Sequence, residues 1–384
     1  MTASRAAFRL ALYYALLFAA VGIQLPFWPV WLASRGLSPA EIGLATAAGY
    51  LARLGVTPVV GLVVDRRGDR RRPMIALLAA AAAGWCLFAA VHGLGPIIAV
   101  SLLAAGLWSA VMPVGDSLAM MAAAEWRLDY GRVRLWGSAA FIAAATVIGQ
   151  ALVRLPPGAL VWLIAGTLAA AAWSCRGLPD LRAPAGRDAP APLGPLLASR
   201  AFRLFILCLA CNQASHTVYY AFATLHWRAA GLGDGTIGLL WSEGVVAEII
   251  LFAVSGPLVR RLGPAGLLLA AGLGGVIRWS VLGATTWLPA LVLAQLLHAA
   301  TFGCAHLGAM QFLTRAVPPG LAVRAQSLYA ALALGAVPGL TSPLAGRLYQ
   351  AMGGTAFFAM AAASLAAAAC GWMLGRRWQG GPVV

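Results

Sequence analysis

The sequence predicts an all-α membrane protein: twelve transmembrane helices in two pseudo-symmetric six-helix halves. Three observations predict it. Of 384 residues, 61% are hydrophobic and 10% charged, where a soluble chain would carry roughly a quarter charged residues. With a mean hydropathy of +0.84, the chain cannot hide its apolar surface in a core of its own, and lipid must solvate the rest. The apolar residues fall into twelve runs, and about 20 such residues suffice to cross roughly 30 Å of hydrocarbon. The second six runs also repeat features of the first six.

In chain order, the first six spans lie near 9–33, 38–64, 74–92, 96–124, 135–153 and 158–176. Arg5 and Arg9 precede the first run as they would in a signal peptide, but the run is too long and too rich in Trp and Pro for one. Residues 177–200 follow, with five prolines and most of the polar residues of that region. They read as a flexible linker. The second set lies near 201–227, 235–259, 266–286, 289–314, 325–348 and 353–375. The expected organisation is therefore an N-terminal half (1–176), a cytoplasmic linker (177–200) and a C-terminal half (201–384), with no room for a soluble domain.

Arginine sets the orientation. Twenty-one arginines lie on the side of the termini and the linker, among them Arg66, Arg67, Arg70, Arg71, Arg72, Arg260 and Arg261. Four lie opposite: Arg35, Arg154, Arg228 and Arg347. The positive-inside rule puts both termini and the linker in the cytoplasm. The net charge of +16 does not imply nucleic-acid binding, because the arginines form short clusters between apolar runs and not one basic face. The six cysteines lie in or beside apolar runs. Cys208 and Cys211 have redox-motif spacing without the βαβ context that would give it meaning, so small packing residues are expected. No cofactor or metal is expected.

The repeat is explicit. Gly36-Leu37 followed by Ile42-Gly43-Leu44 recurs as Gly231-Leu232 followed by Ile237-Gly238-Leu239. The same offset aligns Gly61 with Gly256, Gly68 with Gly263 and Arg53 with Glu248, and a slightly shorter one aligns Asp116 with His306 and Arg134 with Arg324. Parallel repeats of this kind mark a transporter architecture with the solute site near the bilayer midplane.

After the second span the chain reads GLVVDRRGDRR, from Gly61 to Arg71. This resembles the signature of the major facilitator superfamily, carried here by Gly61, Asp65, Arg66, Gly68 and Arg70. The glycines suit a tight turn and close packing, and Asp65 suits pairing with a basic group or a helix end. The second copy, GPLVRRLGP, has Arg260 where the acid would stand. LPFWPVWL (from Leu25), LDYGRVRLWGS (from Leu128), GVVAEIILFAVS (from Gly244), IRWSVLGATT (from Ile277) and HAATFGCAHLGAM (from His298) are similar to the bacterial 3-phenylpropionic acid transporters, and more loosely to proton-coupled nucleoside symporters. The resemblance implies the major facilitator fold in a bacterial inner membrane. It further implies proton-coupled uptake of a small organic solute by alternating access, with helices 1, 4, 7 and 10 lining the cavity and a monomer as the working unit.

A charge at the bilayer centre costs roughly 2.5–3.5 kcal/mol on insertion scales, so each one needs a reason. Arg53, Asp116, Glu243, Glu248 and Arg278 are such charges, with His216, His298 and His306 beside them. Glu248 is the first candidate for the proton carrier, since desolvation favours the protonated form of a carboxyl in an apolar bundle. A fixed ion pair with Arg278 is an equal and compatible reading, and Arg53 with Asp116 would be the matching pair. Asp116 and His306 complete the expected proton-coupling set. The histidines suit a relay or substrate hydrogen bonds, or plain helix packing. For the substrate the expected contacts are Arg53, Trp28, Gln24, Asn212, His216, Tyr219, Tyr220 and His298. Arg53 would take a carboxylate bidentately, and Arg278 joins the motif residues as a structural or gating group. Trp31 and Trp227, near span ends, are expected in the interfacial aromatic belt. A nucleoside or sugar symporter is the competing transport reading. An intramembrane enzyme using Asp116, His298 and His306 finds no nucleophile elbow or zinc motif to support it.

Overall fold

The computed structural model describes residues 1–182 and 194–383, and these are almost entirely helical. The chain divides into two compact units: Met1–Asp188 with Gly231–Ser242, and Ala189–Ala230 with Glu243–Val384.

In the first unit, α1 (Ala3–Ser34) starts at Thr2, whose side chain accepts from the Arg5 amide. It is followed by α2 (Pro39–Arg67), where Ser38 and Glu41 form a reciprocal capping box and Pro39 occupies the first turn. Its stop is equally local. Gly68 takes φ 66° and returns its N–H to Val64, a conformation that costs a residue with a Cβ. Next come α3 (Arg71–Cys86), α4 (Leu94–Ser109) and α5 (Val111–Trp126). The break between α4 and α5 falls where Pro113 has no N–H to offer the Ser109 carbonyl. Finally α6 (Tyr130–Ala151) begins at an Asp129 cap, and α7 (Ala159–Cys175) follows. Helix α1 packs along α6 and α7, and α2 along α4, where Thr57 and Ser109 share a 3.1 Å hydrogen bond.

The start of the expected linker is held down. Arg9 donates to the Gly177 carbonyl at 2.7 Å, Arg71 reaches Asp180 at 3.1 Å, and Asp69 bridges Arg182 through the backbone. The linker positions 183–193 lie outside the described residues. Ser242 closes the segment Gly231–Ser242 against α6, sharing a 2.9 Å hydrogen bond with Thr146 and donating to the Ile142 carbonyl.

The second unit runs through α8 (Gly194–Ala198), α9 (Arg200–Ala214) and α10 (Thr217–Ala229), then takes up α11 (Asp234–Ala253) from Glu243 onward. Helix α12 (Ser255–Ala284) is two helices joined at Gly263, whose φ of 61° turns the chain. It is followed by α13 (Leu288–Leu296), a π-helix at Ala299–Cys304, α14 (Ala305–Ala316), α15 (Pro319–Ala331), a second π-helix at Leu332–Ala336, α16 (Val337–Met352) and α17 (Phe357–Arg377). The break between α9 and α10 contains no proline. Ser215 and His216 both bond the Asn212 carbonyl, and Thr217 bonds that of Ala214. Side chains thus compete with the backbone for the last turn of α9. One core holds the unit together around Phe205 and Phe312, stacked at 4.3 Å, with Leu267, Leu268 and Leu374 buried beside them.

Among the described residues, nine helical stretches are long and apolar enough to cross a membrane. One of them, Arg324–Arg377, has 54 residues, enough for two crossings of about 20 residues each. With the shorter Ala159–Cys175 and the α9–α10 pair, the twelve spans read from the sequence are accommodated. Large apolar side chains such as Leu340, Trp173 and Phe8 stand exposed, as a lipid-solvated surface requires. The belt expectation for Trp31 and Trp227 is corrected: both are fully buried. Depth along a span was legible, but the direction each ring faces was not. Exposed tryptophans are Trp136, Trp162, Trp173, Trp287 and Trp372.

Candidate functional site: a buried charge chain and two aromatic clusters

In the second unit, α12 carries Arg278 into the interior with no exposed surface. Its guanidinium lies over the rings of Tyr219 at 4.5 Å and Trp279 at 4.6 Å. One Nη donates to Thr301 Oγ1 at 2.9 Å and to His298 Nδ1 at 3.1 Å. The other donates to Gln295 Oε1 at 2.8 Å, and Gln295 in turn donates to the Tyr219 hydroxyl at 2.8 Å. On the far side of the imidazole, His298 Nε2 stands 3.4 Å from Glu248 Oε2. A guanidinium is always a donor, so His298 Nδ1 must accept and its proton sits on Nε2, aimed at the carboxylate. Glu248 and Arg278, expected either as carrier or as an ion pair, are thus linked through His298.

The π-helix aligns the next elements. His298 and Phe302 stack at 5.4 Å with ring planes 10° apart, and Phe302 and His306 at 6.4 Å with planes 3° apart. His306 also contacts the Phe252 ring. Behind Arg278, Asn212 donates to the Thr301 carbonyl at 3.1 Å, and His216 Nδ1 donates to the Asn212 carbonyl at 2.7 Å. His216 stacks on Tyr220 at 5.5 Å. Trp279 donates to Ser364 at 3.0 Å. Asn212 Oδ1, His216 Nε2 and Arg278 Nε are buried with no hydrogen-bond partner among the described residues, and such atoms carry a cost that a polar ligand would relieve. Glu243 is half-buried on α11.

In the first unit, Asp116 accepts from the Tyr14 hydroxyl at 2.6 Å and from Tyr130 at 3.1 Å. Arg53 is half-buried on α2 and has no hydrogen bond or ion pair with the described residues. The Arg53–Asp116 pairing expected from the repeat is replaced by the two phenols. Trp28, expected at the substrate, is buried in an aromatic cluster: it stacks on Trp31 at 4.4 Å and meets Trp85 and Phe88 edge-on. Gln24 is half-buried on α1.

The signature loop works as a brace. Arg70 donates to Ser117 at 2.7 Å and to the Gly68 carbonyl at 3.3 Å, and lies 3.7 Å from Asp65. Arg66 is exposed. Gly61 is not a close-packing glycine: a Cβ there would meet nothing within 4 Å among the described residues, because that face of α2 has no near neighbour. Sequence reasoning missed the roles of Tyr14, Tyr130, Trp279, Thr301 and Arg134. Arg134, counted with the cytoplasmic arginines, reaches back over the Phe18 ring at 3.9 Å and the Tyr14 ring at 5.3 Å. Its place in LDYGRVRLWGS was the available signal.

An almost entirely helical, lipid-solvated chain with internal repeats and a buried Arg–His–Glu chain has the build of a membrane transporter of the major facilitator type. Residues 7–360 match the MFS_1 like family, and the chain belongs to it. It is 36% identical over 367 residues to the "Probable 3-phenylpropionic acid transporter" of Escherichia coli (strain K12), covering 93% of this chain and 95% of that protein. It is 29% identical to the maltose permease of Geobacillus stearothermophilus, over 84% of this chain and 83% of that protein. The crystal structure of the nucleoside transporter NupG superposes with a TM-score of 0.81 at 15% identity, covering 97% of this chain and 99% of that one. The chain is therefore a multi-pass transporter of a small molecule and not an enzyme.

Proposed function

We propose that this transporter couples proton entry to uptake of a small aromatic carboxylate such as 3-phenylpropionate, by alternating access. It would act as a monomer in the bacterial inner membrane, with both termini cytoplasmic and with a cytoplasmic linker (177–200) between halves 1–176 and 201–384. The observation that carries the coupling is the chain Arg278–His298–Glu248. Glu248 Oε2 lies 3.4 Å from His298 Nε2, and loading Glu248 with its own proton would remove the negative charge from that contact. His298 does not take the proton, because Arg278 donates to its Nδ1 and a second donor there would be repelled. Glu248 is thus the exchange group and His298 its positioning residue, with Asp116 and His306 as further proton-handling groups.

For the solute, Arg53 offers a guanidinium with no anionic partner among the described residues, and an unpaired buried carboxylate would be costly elsewhere. Gln24, Asn212, His216, Tyr220 and His298 would supply polar and aromatic contacts. Tyr219 and Trp28, each packed into an aromatic cluster of its own unit, are the further aromatic contacts proposed for the solute. Similarity to the Escherichia coli protein supports the substrate class. Similarity to a maltose permease supports a sugar or nucleoside symporter as the second reading.

The test is uptake of labelled 3-phenylpropionate, its amide, maltose and uridine by proteoliposomes with an imposed pH gradient. Accumulation of the acid alone, abolished by a protonophore, is the expected result. Accumulation of maltose or uridine in preference to the acid overturns the carboxylate reading.

A further inference from the structure

At the arginine-rich end of α2 and the start of α3, the first unit holds a groove of about 510 Å³. Its wall is apolar, built from Val60, Val63 and Val64 of α2 with Pro73 and Ala76 of α3. Beyond the last valine the lining changes abruptly to Arg67, Asp69, Arg72 and Arg182. Three guanidinium groups thus share the groove with one carboxylate, and that carboxylate is already engaged: Asp69 lies 3.7 Å from the Arg72 guanidinium and accepts from the Arg72 amide at 3.3 Å. Arg67 is exposed, with no hydrogen bond or ion pair to the described residues. The valine wall continues onto exposed Val59 and Leu62, an apolar surface of the kind that lipid tails solvate in a spanning helix.

The combination selects its occupant. A soluble anion would use the arginines and gain nothing from the valines, whereas a neutral apolar helix would leave the guanidinium excess unpaired. A phospholipid uses both parts, and an anionic headgroup uses the excess charge best, because arginine binds phosphate oxygens in a planar fork. Basic pockets between spanning helices at the headgroup level have this chemistry. We propose that the groove is a binding site for an anionic phospholipid. Its phosphate lies against Arg67, Arg72 and Arg182, and one acyl chain runs along Val60 and Val63.

The test is lipid retention by the purified full chain in detergent, read by native mass spectrometry during titration with phosphatidylglycerol, phosphatidylcholine or inorganic phosphate. Wild type should retain phosphatidylglycerol at least about tenfold more tightly than phosphatidylcholine. Arg67→Ala with Arg182→Ala should weaken phosphatidylglycerol about thirty-fold, at the usual contribution of an arginine near an anionic surface, and leave phosphatidylcholine unchanged. Val63→Trp, which fills the groove and keeps every arginine, should weaken the retention of phosphatidylglycerol too. Equal retention of the two lipids by wild type, or inorganic phosphate binding as tightly as phosphatidylglycerol, would overturn the proposal. So would unchanged phosphatidylglycerol retention in the paired arginine variant.

Discussion

Replacing Arg278 by lysine separates charge from geometry. The guanidinium reaches Thr301 and His298 with one nitrogen and Gln295 with the other, at 2.8–3.1 Å, while its plane lies over two aromatic rings. An ammonium keeps the charge but cannot span acceptors on both sides of that fork, so at least one charge-assisted bond is lost. Such a bond contributes about 1.5–3 kcal/mol, and the two ring contacts about 0.5–1 kcal/mol each. Arg278→Lys should therefore destabilise the second unit by about 1.5–5 kcal/mol, the upper end applying if the ammonium leaves both rings. Arg278→Met, which leaves His298 Nδ1, Thr301 Oγ1 and Gln295 Oε1 all without this donor, should be worse. Heat unfolding in detergent, followed by tryptophan fluorescence, reads the effect as a fall of several degrees. Counterflow with unlabelled solute then separates stability from function, because a freed imidazole lets His298 compete with Glu248 for the proton and should move the pH profile of uptake. An unchanged melting curve together with an unchanged pH profile would refute the idea that the fork fixes the His298 tautomer.

Glu248→Gln should abolish uphill accumulation and preserve equilibrium exchange, because the amide keeps the size and acceptor of the side chain but cannot alternate in charge. Normal accumulation would transfer the proton to another group, with Asp116 next. Arg53→Lys should weaken binding of 3-phenylpropionate about tenfold while changing binding of its amide little, as expected for loss of one bidentate contact; equal affinity of wild type for acid and amide would remove Arg53 from the site. A reporter fused after Val383 should be cytoplasmic and one inserted beside Arg154 periplasmic, and the reverse pattern would contradict the arginine count.

Span positions were legible because a run of apolar residues long enough to cross a bilayer is a one-dimensional signal. The Gly61–Arg71 loop was legible because Gly68 needs a left-handed backbone and Arg70 a carboxylate. Glu248, Arg278 and His298 were each visible as polar groups where polarity is expensive. Their order was not, since it depends on how α11, α12 and the junction of α13 with the π-helix meet. For the same reason Trp28 was expected at the solute, and Trp31 at the interface, while both rings close on Phe88 and Trp28 also on Trp85. Arg134 sits one turn into α6, so its sequence position gave the helix end and not the reach of a long side chain back to Phe18. The π-helix at Ala299–Cys304 has no composition cue at all.

That wide turn has a consequence for how the chain tolerates changes of length. A π-helix contains more residues per turn than an α-helix, so Ala299–Cys304 stores slack within an otherwise regular rod. Loss of one residue there can be absorbed by tightening to α-helical geometry, with α13 and α14 keeping the faces they bury. The same loss inside α14 has no such reserve. It must rotate everything beyond it by about 100°, turning Phe312 off Phe205. Segments of this rod that look alike as apolar sequence therefore differ in whether evolution can count them differently.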